Sequence, residues 1–206
     1  QKLLVVLPGG DGSAEFLPFV KRIKKYALSD DYLVVQLIAP KWNEQQRIVW
    51  PTARNSVQGQ KMPVEEYLEA AVRAVVKRHE IDNTHVYTLS WSSGGPAAYA
   101  ASLRKDTPIA GSLVAMSVFK PKQLPAIRRA AGKSYYILHS QQDNICPYRM
   151  AVDARDTLAK YGAKTTLAEY PGGHGWRGDV FGNIREGIAW LEKSATGSPP
   201  DSDSSQ

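Results

Sequence analysis

A single cysteine, Cys146, stands among 206 residues. No disulfide can close within the chain, and the redox compartment stays open between cytoplasmic and exported. Long apolar runs are also missing: none approaches the roughly 20 residues a membrane-spanning helix needs. The four histidines are dispersed, with no His, Asp and Glu cluster at metal-ligand spacing, so neither a metal nor a cofactor is expected. There is no internal repeat and no DNA- or RNA-binding motif. The formal charge is +6, but the Lys and Arg residues are scattered (Lys21, Arg22, Lys24, Lys25; Arg128, Arg129, Lys133). They read as solvated helix faces, and no nucleic-acid partner is expected. The chain begins at Gln1 and runs at once into a strand, as it would after loss of a leader or a trim.

What is present alternates. Runs that read as strands occur at Lys2–Leu7, Tyr32–Ile38, Val86–Leu89, Ile109–Met116, Tyr135–His139 and Thr165–Tyr170, the first of them a continuous apolar run as expected of a strand buried on both faces. Between and after them lie helix patterns at Glu15–Ala27, Pro63–Arg78, Pro96–Leu103, about Leu124–Ala131, Tyr148–Tyr161 and Asp179–Lys193. His79 and His85 flank the third strand's amino end and are expected to cap or pack. Residues 39–62 form a long stretch without periodicity, and its tryptophans suggest a folded excursion over the sheet's edge. Residues 194–206 are rich in Ser, Pro and Asp and are expected to be a disordered tail after a domain at 1–193. This alternation implies a six-stranded, mainly parallel sheet with helices on both faces. Ligands of such sheets gather at the strands' carboxyl ends.

The stretch Val86–Gly95, VYTLSWSSGG, passes from strand to helix with a knot of small residues between. A turn that sharp forces unusual backbone angles on its central residue and needs small neighbours two before and two after. Ser90, Gly94 and Gly95 meet that demand around Ser92, in a pattern S-x-S-x-G. Ser93 is a poor rival nucleophile, because Trp91 would then fall where a small residue is needed. A serine hydroxyl needs a base to take its proton, usually a histidine, itself oriented by an acid. Asp143 and His174 each follow a strand's carboxyl end, and the order Ser92, Asp143, His174 is that of the α/β-hydrolase fold.

These features resemble the α/β-hydrolase superfamily, within it the small carboxylesterase/lysophospholipase and feruloyl-esterase-like group. The segments that carry the likeness are LPGGDGS at 7–13, SWSSGG at 90–95, HSQQDNICP at 139–147 and GGHGW at 172–176. The chain departs from that group in three places. Pro8 stands where many relatives have histidine, Ser90 replaces the elbow glycine, and two opening strands are missing, which suggests a minimal version of the fold. The resemblance implies a serine hydrolase of carboxylic esters that works through an acyl-enzyme. Ser92, Asp143 and His174 would be catalytic, and the N–H groups of Gly10 (or its neighbour Asp11) and Ser93 would form the oxyanion hole.

Asp11, Trp42, Trp50, Trp91 and Trp176 are candidates to wall a pocket for a small-molecule ester, with core packing the alternative for each tryptophan. His139, on a buried strand, is expected to serve stability rather than chemistry. Two rival functions share these residues: a peptidase or thioesterase using the same triad, and a non-catalytic binding protein of the same fold. Oligomeric state is not legible. If the chemistry is that of Ser92 and His174, EDTA should leave ester hydrolysis unchanged. Loss of activity with chelator and recovery with a divalent ion would point to a metal instead.

Overall fold

The computed structural model describes residues 1–196. Six strands, β1 (Lys2–Leu7), β2 (Tyr32–Gln36), β3 (Val86–Trp91), β4 (Gly111–Ala115), β5 (Ser134–His139) and β6 (Lys164–Glu169), form one sheet in the order β2-β1-β3-β4-β5-β6. Every pairing is parallel. Five α-helices connect or follow them: α1 (Leu17–Ala27), α2 (Val64–Val76), α3 (Gly95–Ser102), α4 (Tyr148–Lys160) and α5 (Val180–Thr196).

The central strands β1, β3, β4 and β5 are buried at nearly every position because helices cover both faces, whereas the edge strands β2 and β6 are mostly half-buried. Successive side chains point to opposite sides of a strand. In β1, Leu4 and Val6 join α1 and α5 through Val20, Ile23, Ile184 and Ile188. Leu3, Val5 and Leu7 face the other way, onto Val64, Leu68 and Val72 of α2 and Ala97 and Ala101 of α3. Farther along that second face, Val114, Tyr135 and Ile137 pack on α3 and on Ala151, Ala154 and Leu158 of α4.

The strand order places the site. From β1 the chain crosses to β2 on one side, then returns past β1 to β3 on the other. The direction of winding therefore reverses between β1 and β3. Loops leaving their carboxyl ends diverge and leave a crevice there.

Several boundaries differ from those read in the sequence. The basic stretch near 124–131 is not an α-helix: short 3₁₀ turns occupy Pro121–Gln123 and Ile127–Ala130. Pro125 holds Leu124 extended (φ −106°, ψ 157°), which separates the two turns. β2 stops at Gln36, and β4 is shorter at both ends, with Met116 immediately after it at φ 41°. α5 continues to Thr196, three residues beyond the expected end; the rest of the expected tail lies outside the described residues.

Residues 37–63 carry no regular element, yet they are well tied down. Trp50 is buried, and its Nε1–H donates to the Pro8 carbonyl at 2.9 Å. Ala39 N–H donates to Gly12 and Val64 N–H to Pro51. The Gln46 amide crosslinks Pro40, Trp42 and Ile48. This excursion does not stay at the sheet's edge; it reaches over the carboxyl ends to the start of α3.

Close packing of α5 on the sheet leads to a test. Gly187 is buried, and a Cβ there would lie 2.5 Å from Leu113 Cδ1 and 2.8 Å from Tyr136 Cδ1. Alanine would gain about 1 kcal/mol in helix propensity, whereas overpacking costs about 1–3 kcal/mol. The Tyr136 ring cannot swing aside as a leucine tip can, so Gly187→Ala should destabilise the fold by about 1 kcal/mol net in urea denaturation. A stabilised variant would mean that α5 sits more loosely than the contacts indicate.

Candidate active site

Ser92 follows β3 directly and opens a 3₁₀ turn, Ser92–Gly94, that runs into α3. Its φ is 50°, in the left-handed region that a residue with a Cβ rarely enters. Two hydroxyls fasten the strained peptide and the segments around it. Ser117 donates to the Ser92 carbonyl at 2.6 Å, and Ser93 donates to the Gly10 carbonyl at 2.9 Å. The tightness of the turn is sharpest at its glycines. A Cβ on Gly94 would lie 2.2 Å from the Leu7 carbonyl oxygen, and one on Gly95 2.0 Å from Ser117 Oγ. Ser90 is completely buried, which fits the small size expected two residues before Ser92.

Ser92, His174 and Asp143 meet. Ser92 Oγ is 3.1 Å from His174 Nε2, and His174 Nδ1 is 2.8 Å from Asp143 Oδ2. The Asp143 side chain is wholly buried, while that of His174 keeps 23% exposure at the mouth of the site. An ionised carboxylate only accepts, so Nδ1 carries the proton and Nε2 presents its lone pair to the serine hydroxyl.

A buried carboxylate must be compensated, and here both oxygens are. Oδ1 accepts the N–H groups of Ile145 at 2.9 Å and Cys146 at 2.8 Å. Oδ2 takes His174 and has His139 Nε2 at 3.3 Å. Burial by itself would raise the Asp143 pKa; the Cys146 N–H, His174 and Ile145 N–H outweigh it and hold the group below its ordinary value. Ser140 supports the loop that carries the histidine, its Oγ accepting the Gly173 N–H at 3.1 Å.

The segment after β1 lies against this assembly. Gly9 packs on the Trp91 ring, where a Cβ would come within 2.5 Å of Cδ1. Gly10 has φ 58°, and among the described residues its N–H finds no backbone acceptor. The N–H of Ser93 lies in the first turn of a helical segment, where such groups lack an intrahelical partner. Asp11 is exposed and its carboxylate accepts the Ser13 N–H at 3.0 Å, which holds its pKa below the usual range.

The four candidate tryptophans part company. Trp50 lines a cleft of about 170 Å³ beside Ser93 and Pro96. Trp91 is core: it packs edge-on against Phe16 and Phe19, and Trp176 lies half-buried against it with ring centroids 5.7 Å apart. Trp42 is not among the cleft's lining residues.

Sequence reasoning missed Ser117 and Ser140 and the contact between His139 and Asp143. The available signal was position, since Ser117 and Ser140 are the first hydroxyls beyond buried strands. It also missed that Asp143, Cys146 and His174 bring their polar atoms within 4.8 Å of one another. That trio is poorly suited to hold a metal. Burial pushes the Cys146 thiol up to about 11, so it stays protonated near neutrality, and the other two groups are bonded to each other.

No protein-family model and no curated protein sequence matches the chain. Solved structures do match. A carboxylesterase from Bacillus cereus superposes with a TM-score of 0.71 at 16% identity, over 94% of this chain and 89% of that one. A carboxylesterase from Mesorhizobium loti gives 0.68 at 16% identity, over 91% and 88%. SOBER1 from Arabidopsis thaliana gives 0.67 at 16% identity, over 93% and 99%. The chain therefore has the fold of α/β-hydrolase-type esterases.

His139 gives this region a pH signature. It is buried, and Nε2–H donates to the Cys146 carbonyl at 2.8 Å. Burial is the main cause that lowers its pKa, ahead of the opposing bond to Cys146. The unfolded chain then binds more protons as pH falls through about 6.5, so His139 should draw stability down below that pH. His139→Gln retains a donor and cannot titrate. In urea denaturation between about pH 7.5 and about pH 5.5 it should lose less stability than the parent. Equal losses would show that His139 is not held neutral.

Proposed function

We propose that the protein is a serine hydrolase that cleaves carboxylic esters. The observation that carries this reading is the hydrogen-bonded chain Ser92–His174–Asp143, set on a left-handed turn at the crevice between β1 and β3. The esterase neighbours, alike in fold, favour ester substrates over the peptidase and thioesterase alternatives.

In this mechanism Ser92 Oγ bonds to the ester carbonyl carbon while its proton passes to His174 Nε2. The carbonyl π electrons move to oxygen, where the N–H groups of Ser93 and Gly10 receive the negative charge. Collapse breaks the carbon–alkoxy bond, and the imidazolium gives its proton to the departing alcohol. Water then attacks the acyl-enzyme with His174 as base, releasing the acid and restoring Ser92. Asp143 stays ionised throughout, keeping the Nδ1–H tautomer and stabilising the imidazolium. Its low pKa suits that role. The turn that holds Ser92 and the bond from Ser93 to the Gly10 carbonyl keep nucleophile and oxyanion donors in one rigid unit.

The test uses p-nitrophenyl butyrate and a fluorophosphonate probe. Ser92→Ala and His174→Ala should each lower kcat by about 10⁶-fold, since such groups act as a unit. Asp143→Asn should lower it by about 10⁴-fold through the wrong tautomer. Only proteins with Ser92 should take the label. A folded Ser92→Ala protein within a few-fold of the parent would remove this mechanism.

A further inference from the structure

The cleft beside Ser93 has a composition that the reaction itself does not require. Its walls are apolar: Trp50 and Val49 come from the long excursion, Pro96 from α3 and Leu124 from beyond β4. Two cations, Arg47 and Lys120, line it from separate segments, and no Asp or Glu does. Among the described residues neither cation forms an ion pair. Surface cations are ordinary alone; two exposed ones from separate segments lining one concave, acid-free cleft that also includes Ser93, the neighbour of Ser92, are a recognition feature, because low-dielectric walls concentrate their field.

Size narrows the occupant. About 170 Å³ is well below the 300–1,000 Å³ or so of pockets for larger ligands, so a long acyl chain does not fit within it. Thr52, buried in the lining, accepts the Asn55 N–H at 3.0 Å.

We infer that the cleft is a subsite for a carboxylate carried on a short arm of the ester, bound by Arg47 and Lys120. This deepens the esterase reading and rests on it. The arm belongs either to the acyl or to the alcohol part, and substrate pairs matched in shape separate the two. On the acyl side, p-nitrophenyl hydrogen glutarate is compared with p-nitrophenyl pentanoate. On the alcohol side, para-acetoxybenzoate is compared with para-acetoxybenzamide. Each kcat/KM is divided by the rate of hydroxide hydrolysis.

In one pair the carboxylate member should be preferred by about tenfold or more, the scale of a charge-assisted hydrogen bond. Concentrated KCl should shrink that preference, since the cations are exposed. Arg47→Gln and Lys120→Gln should each reduce the ratio several-fold. Because the neutral ester is an internal standard, partial misfolding of a variant does not alter the ratio. Equal or reversed preference in both pairs, or ratios unmoved by both substitutions, with hydrolysis still dependent on Ser92, overturns the subsite and leaves the esterase. No hydrolysis of any of the four esters by folded protein, together with no fluorophosphonate labelling, removes both.

Discussion

The structure depends on how little room separates the end of β3 from the start of α3. The chain leaves a strand buried on both faces and begins a helix at once, with Gly94 pressed on the Leu7 carbonyl and Gly95 on Ser117. Only glycine clears those contacts. The helix can therefore lie against the sheet with no connecting loop, and the backbone must absorb the turn at one residue. That residue is Ser92, at a conformation that costs on the order of 1–3 kcal/mol. The penalty is sustained by what surrounds it: completely buried strands on either side, and the Ser117 hydroxyl on the Ser92 carbonyl. In return the side chain points away from the sheet into the crevice, with the first-turn N–H of Ser93 beside it.

A second constraint, burial of charge, fixes the opposite wall. Asp143 lies inside the protein, and its carboxylate is tolerable only because two N–H groups from its own loop and two histidines surround it. Those same partners orient the oxygen that meets His174. The histidine loop is in turn held to the acid loop through Ser140 and through Gln142, whose side-chain oxygen accepts the Gly172 N–H at 2.8 Å. Three segments far apart in the chain thus converge because each follows a parallel strand and each is fastened to its neighbour by short polar contacts.

Much of this was legible before any coordinates. Strand runs separated by helical periods lead to one parallel sheet, and the run at β1, buried on both faces, is readable because no polar alternation interrupts it. Ser92 was readable from the small residues its turn demands, and Asp143 and His174 from their positions after strands. What could not be read were features set by contacts between distant segments. Trp91 and Trp50 look alike in sequence, yet one lies beneath the Phe16, Phe19 and Trp176 rings and the other lines the cleft. The short basic helix expected near 124–131 is reduced to the single 3₁₀ turn Ile127–Ala130, preceded by Leu124 held extended before Pro125. Ser117 and Ser140 carried only the signal of position just beyond buried strands, because what gives each its role is an N–H or carbonyl brought to it by folding.

The excursion at residues 37–63 is anchored at a few fixed points. Trp50 fastens it to Pro8, two residues before Gly10, and buried Glu65 receives the Ala53 N–H beside α2. Between such fixed points, side chains such as Arg47 and Asn55 project into the cleft without supporting the sheet. If the cleft holds part of a substrate, substitutions at such exposed positions would change what it accepts while leaving in place the hydrogen bonds that join Ser92, His174 and Asp143. Divergence in substrate choice within such a lineage would be concentrated in this excursion, with the strands and the turn at Ser92 changing most slowly.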